Sequence, residues 1–545
     1  MQSGYTGYVD RSEWWWTTIV SLTFIIFTFL PFFFIVLTNP IQSDTQFMGA
    51  IHDIEDASAQ IARMQQGADG SILLDFLYSP QTQDTALIHP VYAILGQLVR
   101  YSQLSPTIIF HLLRIFVSLF MYLAIYNLGA SIWVRIRTRR IFFVLSSVGA
   151  GFGWVAIFFL FNNDNIIIPD ISLPQAFPIY ASASNIHYPL AIACITLIAS
   201  VCIAILRPGE SENPSAENQG SLVFISSLIL ALIYPDALIP LGIAYTLNVL
   251  INWYTQKKVS QREWYWGLWI LVPALPIATY YLLTIANNPF VASWINQRSD
   301  ISLPLPILLV SVGLPLIIAL PALLRAIRNF EPDGDRFMLL WLLSMIITLY
   351  LPLQLKQYFL VGLMLPIGYF ATRAIEDFWF QFIRRTHRSK VYVVIFPFLI
   401  LSHIIWIFIP IYPLIVGWNG LSPSLLEQDH SDALIWIDQN IEDNHTILAS
   451  PAVSLWIPSW TGNRVVYGHS AETFNAEEAR SEVISWYAQD DPQAESCRAL
   501  IEEYQVDFVL RGPRENHLGS SACTDNLAPI AFIGSITLYA TEFAD

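Results

Sequence analysis

Residues 51–70, IHDIEDASAQIARMQQGADG, belong to a segment, 38–106, that separates two long apolar runs. That segment gathers His52-Asp53-Ile54-Glu55-Asp56, then Asp69, Asp75 and Asp84, against Arg63 and Arg100 as its cations. Carboxylates at this density cannot enter hydrocarbon, so the segment must stand in water beside whatever the apolar runs enter.

The apolar runs enter a bilayer. The chain of 545 residues is 54% hydrophobic and 13% charged, with 18 Trp, and its mean hydropathy is +0.50. Soluble domains carry nearly twice that charge fraction, and indole rings favour the headgroup level. Eleven apolar segments are of about spanning length: 14–37, 107–130, 141–162, 188–206, 221–234, 236–254, 264–286, 305–324, 337–353, 358–374 and 391–416. The first lacks a small-residue cleavage site and reads as an anchor. Tyr234-Pro235-Asp236 interrupts what would otherwise be one overlong run, because proline cannot continue the ladder; two short helices meeting at an elbow are expected there, with Asp236 capping the second.

With the N-terminus inside and strict alternation, the inner segments collect 17 Lys and Arg, and the short outer loops hold 4: Arg63, Arg100, Arg298 and Lys356. This asymmetry predicts a multi-pass protein of the plasma (inner) membrane with a cytoplasmic N-terminus. It places 38–106 outside as a large first loop.

Residues 207–220 are polar and read as a disordered inner loop. Past residue 423 the chain changes character. Residues 424–545 carry 5 Lys and Arg against 20 Asp and Glu, so the whole net charge of −15 lies there. An acidic domain disfavours nucleic acid and anionic lipid as partners. Periodic apolar patterns at Ala433–Ile441, Ala479–Trp486 and Cys497–Tyr504 alternate with strand-like runs at Thr446–Ala449, Arg464–Tyr467, Asp507–Leu510 and Ile530–Tyr539. The expected organisation is an all-α polytopic membrane bundle over 1–423 and an extracytoplasmic α/β domain over 424–545. Cys194 and Cys202 fall in one apolar run as packing thiols. Cys497 and Cys523 can pair if their domain is exported.

Read as a helix, 51–64 puts Ile51, Ile54, Ile61 and Met64 on one side and Asp53, Asp56, Gln60 and Arg63 on another, with Glu55 pointing elsewhere. Such a helix lies flat at the outer interface. Its two carboxylates are either a solvated acidic face or a pair whose crowding near lipid raises a pKa toward neutrality, as a general base needs. Gly149-Ala150-Gly151-Phe152-Gly153 looks like a nucleotide loop but falls inside an apolar run, where close helix packing is the expected use. Asn444-His445-Thr446 fits a glycosylation acceptor only in a host with that machinery.

The stretch HDIEDASAQIARMQQGADGS, 52–71, is similar to the acid-acid-x-x-Tyr-x-x-x-Ala pattern and following glycine turn of the class-C (GT-C) glycosyltransferases, but departs from it in that no tyrosine follows the acid pair, where Ala57 and Ser58 stand instead. The many spans ending in an outer α/β domain resemble the same class. Gly468-His469-Ser470-Ala471-Glu472-Thr473 resembles a G-H-x-A-E-T stretch of bacterial membrane proteins of this kind. The resemblance implies sugar transfer from a polyprenyl-phosphate donor to an envelope acceptor, with membrane lipid as surroundings and a first-loop acid as catalytic base or metal ligand. Asp56 fits that acid by position, with Glu55 and Asp53 as alternatives. Lys356, Arg298 and Arg114 are the donor-phosphate candidates; Arg114 lies within the second run, where a charge marks function or snorkels to the interface. His89, His187 and Asp236 are acceptor or metal candidates. Mg or Mn is the cofactor left open, although no tight His-x-x-x-His or His-x-x-Glu spacing accompanies them. A transporter or flippase for a lipid-linked solute, and a non-catalytic membrane scaffold of the same architecture, are the competing readings.

Overall fold

The computed structural model describes residues 8–42, 44–81, 83–160, 167–206, 219–257, 261–299, 303–331, 334–352, 356–412 and 423–543. Arg207, Lys258 and residues 207–218 of the polar loop lie outside the described residues. The chain forms two compact units. A helical unit comprises 1–30, 112–283 and 299–409; a mixed unit comprises 31–111, 284–298 and 410–545.

Every expected apolar run has a helical counterpart, and the protein is a multi-pass membrane protein. Among the described residues, eight helices are long and apolar enough to cross a membrane, or nine if the bent pair Gln261–Leu271 and Ala274–Asn287 is one span. This is fewer than the eleven read from the sequence. The helix Gly220–Ile233 stops after 14 residues at the Tyr234-Pro235 break, and Gly334–Tyr350 has 17 because it begins at the charged pair Asp335-Arg336. The elbow is as expected, but no side chain caps the helix Leu238–Gln256, and Asp236 lies in the 3₁₀ turn Pro235–Ala237 that precedes it.

Ion pairs tie several arginines of the helical unit to its acids. Arg139 meets buried Glu13 at 3.0 Å, Arg137 meets Glu376 at 2.7 Å, and Arg325 reaches Asp377 at 2.8 Å and Asp335 at 3.1 Å. Arg373 joins Asp335 at 3.0 Å. The glycines 149–153 do allow close packing, and they also break the helix, which ends at Val148 and resumes at Gly153. A Cβ on Gly151 would overlap the Val310 carbonyl, and facing Gly313 has a φ of 41°, so two unwound backbones touch.

In the mixed unit, the end of helix α1 (Arg11–Gln42) leads to strand β1 (Thr45–Phe47), helix α2 (Ile54–Ala68) and helix α3 (Pro90–Ser102), followed by helix α4 (Pro106–Ile132), which enters the helical unit. Helix α2 is rich in Ala, Gln, Met and Arg, which cost little helix entropy, and Glu55 and Asp56 favour its N-terminal dipole. Pro90 opens α3, where its missing N–H is no loss. Small residues let the two helices meet backbone to backbone: a Cβ on Gly67 would overlap Ala93, and one on Gly96 would overlap the Met64 carbonyl.

Strand β1 pairs antiparallel with β2 (Leu425–Glu427). A five-stranded sheet follows in the order β4-β3-β5-β7-β6, with β3 (Thr446–Leu448), β4 (Arg464–Val465), β5 (Phe508–Arg511), β6 (Leu527–Ile533) and β7 (Ile536–Phe543). β3 is parallel to both β4 and β5; the β6-β7 hairpin is antiparallel. The run expected as one strand, 530–539, is this hairpin, turned at Gly534 with φ 56°. The helices Gln428–Asn440, Ala476–Ala488 and Glu495–Tyr504 stand where apolar periodicity placed them. Trp486, Tyr487, Val483, Leu500 and Val509 form the core beside a Cys497–Cys523 disulfide. Cys194 and Cys202 are buried free thiols. Buried His430 links the sheet to β2: its Nδ1 lies 3.1 Å from Glu427 and its Nε2 3.3 Å from buried Glu515. Arg514 donates to the same Glu427 oxygen at 2.8 Å.

Candidate functional site

The acidic turn of α2 and the G-H-x-A-E-T stretch meet inside the mixed unit. Residues 468–473 form a tight turn in which each polar side chain is used. Thr473 Oγ1 accepts the N–H groups of Gly468 (3.3 Å) and His469 (3.2 Å). His469 Nδ1 accepts those of Ala471 (2.9 Å) and Glu472 (3.2 Å). Ser470 donates both its N–H and its hydroxyl to Glu55 Oε2. Glu472 accepts from Arg63 of α2 at 2.6 Å, both side chains being buried. Gly468 is required because a Cβ would press on Tyr78 and the Ser454 carbonyl.

His469 is 2% exposed and lies between the two carboxylates: Nε2 is 3.6 Å from Asp56 Oδ1, and Nδ1 is 3.9 Å from Glu55 Oε2. The Tyr78 ring stands edge-on to the imidazole, with centroids 5.5 Å apart. The Tyr78 hydroxyl donates to the Leu455 carbonyl at 3.1 Å and meets Ser58 at 3.1 Å. Burial pushes this phenol well above its ordinary pKa, so it stays a neutral donor. Behind α2, Ala62, Arg63, Gln66, Phe76, Tyr78 and Glu472 help to line a recess of about 310 Å³ of empty space, including its open mouth.

Helix α2 departs from its sequence reading. It begins at Ile54, so Asp53 is the residue before the helix, held at φ 46°, and the spacing that paired Asp53 with Asp56 does not extend to it. Glu55, expected to point elsewhere, shares His469 with Asp56. The helix has no wet face: Ala57 through Met64 are all buried, Gln60 and Arg63 included. The exposed apolar stripe is on α3, at Ile94, Leu98 and Tyr101.

The other candidates fall elsewhere. His89 takes the N-cap position of α3 at φ 45°, its ring perpendicular to Trp294 at 6.3 Å. In the helical unit, His187 begins the helix His187–Leu206 and stacks on Tyr234 at 6.0 Å. The turn holding Asp236 packs on the 3₁₀ turn Lys356–Leu360, and Tyr234 meets Tyr358 at 5.2 Å. Three helix breaks thus bring His187, Asp236 and Lys356 into one neighbourhood. Arg114 lies 4.1 Å over Phe29 and donates to the Ala183 carbonyl at 2.6 Å, satisfying a helix C-terminus. Arg298 is on the helix Pro289–Ser299, and its side chain lies outside the described residues. Among the described residues, no three His, Cys, Asp or Glu side chains form a cage for a metal ion.

The membrane helices, the acidic helix α2 and the α/β sheet form a fold that is shared with two solved structures. Archaeoglobus fulgidus oligosaccharyltransferase, solved with a tethered acceptor peptide, superposes with a TM-score of 0.52 over 94% of this chain and 72% of that one, at 11% identity. ArnT from Cupriavidus metallidurans, solved with undecaprenyl phosphate, superposes with a TM-score of 0.52 over 98% of this chain and 100% of that one, at 12% identity. Identities this low speak to fold alone. No family model and no curated protein matches the chain.

Proposed function

We propose that the protein transfers a sugar, with inversion, from a polyprenyl-phosphate donor to an envelope acceptor at the outer face of the plasma membrane. The observation that carries the reading is the Asp56 carboxylate, held beside a buried imidazole on the first-loop helix of a GT-C fold. Asp56 takes the proton of the acceptor hydroxyl. The acceptor oxygen forms its bond to the anomeric carbon as the carbon–oxygen bond to the lipid phosphate breaks, and the phosphate leaves with that electron pair. Asp53 and Glu55 shape the field around the base. Lys356, close to His187 and Asp236, and Arg298 supply cation character for the leaving phosphate. ArnT's complex with undecaprenyl phosphate and the oligosaccharyltransferase's acceptor peptide give the chemical classes to try first.

The same reading puts the N-terminus in the cytoplasm and the mixed unit, with 424–545, outside. The Cys497–Cys523 disulfide supports an oxidising compartment for that unit. The test is transfer by the purified protein with a panel of lipid-phosphate sugars, comparing wild type with Asp53→Asn, Glu55→Gln and Asp56→Asn. A loss of 10²-fold or more confined to Asp56→Asn is expected. Transfer at full rate by Asp56→Asn overturns the assignment of the base.

One observation favours the transporter reading: the touching unwound backbones at Gly151 and Gly313, since interrupted helices line substrate paths in transporters. Solute uptake into liposomes without product formation decides for it.

A further inference from the structure

We propose that His469 is a positioning residue for Asp56: the 468–473 turn fixes the imidazole so that its Nε2–H faces that carboxylate and does not itself exchange protons. The proposal rests on the reading of Asp56 as the base.

The argument starts with the tautomer. Two backbone N–H groups, of Ala471 and Glu472, point at His469 Nδ1. A ring nitrogen that accepts hydrogen bonds carries no proton, so in the neutral ring the proton is on Nε2. Nε2 is buried and has no hydrogen-bond partner among the described residues. It lies 3.6 Å from Asp56 Oδ1, so a shift of about half an ångström completes an ordinary N–H···O bond. A buried donor this close to a carboxylate already stabilises its charge, and it closes to a full hydrogen bond with a small movement of either side chain.

The neighbours exclude other roles for the ring. Protonating Nδ1 would expel two amide N–H groups and open the turn, so His469 does not serve as the base. The charged and titratable groups around the pair are otherwise committed. Glu55 is taken up by Ser470, Glu472 is neutralised by Arg63, and Tyr78, edge-on to the ring, has its hydroxyl at Leu455 and Ser58. Asp53, just before the helix, carries a further negative charge on the same turn; the Nε2–H facing Asp56 stabilises its carboxylate form.

Asparagine and glutamine separate the two ends of the imidazole. In His469→Asn the amide oxygen takes the place of Nδ1 in the turn, but nothing replaces the Nε2–H. In His469→Gln the longer amide restores a donor toward Asp56. Two readouts are taken on the full-length protein in lipid nanodiscs. One is the acid limb of the pH–rate profile for transfer. The other is the pH midpoint of the carboxyl infrared band that Asp56→Asn removes. His469→Asn is expected to raise both by about one pH unit, because loss of a donor to the carboxylate makes it easier to protonate; His469→Gln is expected to recover at least half the shift. Midpoints unmoved in His469→Asn reduce His469 to a brace of the turn and overturn the proposal, as does the absence of any titrating band removed by Asp56→Asn. The infrared midpoint decides even if no sugar donor in the panel is used, so failure of the transferase reading is told apart from failure of this one.

Discussion

Arg63 and Glu472 are 409 residues apart in the chain, and their side chains meet at 2.6 Å with each less than a tenth exposed. Removing one partner leaves a buried charge uncompensated, at a cost of about 3–5 kcal/mol. Arg63→Ala or Glu472→Ala is therefore expected to destabilise the mixed unit by that amount in denaturant unfolding followed by tryptophan fluorescence. Replacing both residues with Met is expected to recover most of it. A double mutant no better than the worse single one contradicts this.

The contact of α2 with α3 gives a second expectation. Gly96 lies against the Met64 carbonyl and the Gly67 Cα with no room for a methyl group. Gly96→Ala forces the backbones apart, an overpacking cost of about 1–3 kcal/mol. Limited proteolysis should show faster cutting within 44–81, while an exposed control such as Tyr101→Ser leaves the rate unchanged.

The disulfide joins cysteines 26 residues apart. Loop-closure entropy for that span is worth about 3.5 kcal/mol of stability. Cys497→Ser with Cys523→Ser should lower the melting temperature of the mixed unit, and reducing agent should lower that of wild type but not of the double variant.

His430 makes stability depend on pH. Burial alone would lower its pKa, but the Glu427 and Glu515 carboxylates outweigh burial and leave it above the ordinary 6.5. Burial likewise favours protonated Glu427, yet the donors His430 and Arg514 hold its pKa down to about 2. The histidine's contribution is complete below about 6.5 and fades as pH rises through its higher folded value. The glutamate's is complete above about 4.5 and fades as pH falls toward about 2. The melting temperature of the mixed unit should therefore be highest between about pH 4.5 and 6.5 and fall on both sides. In His430→Gln the alkaline fall should vanish; its persistence would show that another group is responsible.

The sequence made the membrane helices and the alternating sheet domain legible because both rest on local periods. It marked the acidic turn and the 468–473 stretch separately, and nothing local tied them together. From sequence Gln60 and Arg63 look like a wet face, since a polar side chain with no visible partner looks solvated; Arg63's partner is in the last quarter of the chain. Periodicity puts Asp53 on the helix because it cannot register one left-handed residue at its start. Arg114 looked functional as a charge in an apolar run, and only coordinates reveal the carbonyls it satisfies. His469 was visible only as a letter in a short pattern, its use set by two backbone amides that no pattern contains.

The mixed unit is assembled from three stretches separated by membrane helices. Helix α2 therefore leaves the ribosome long before the turn that will cover it. At about 5–20 residues per second, the 409 residues between Arg63 and Glu472 take roughly 20–80 s to make. Through that interval the Arg63 guanidinium, destined for burial, stays hydrated, and only the later 468–473 turn can close over it. A nascent chain cut short anywhere before residue 472 keeps its anchors in the bilayer but leaves this helix bare, a ready mark by which quality control can tell unfinished molecules from finished ones.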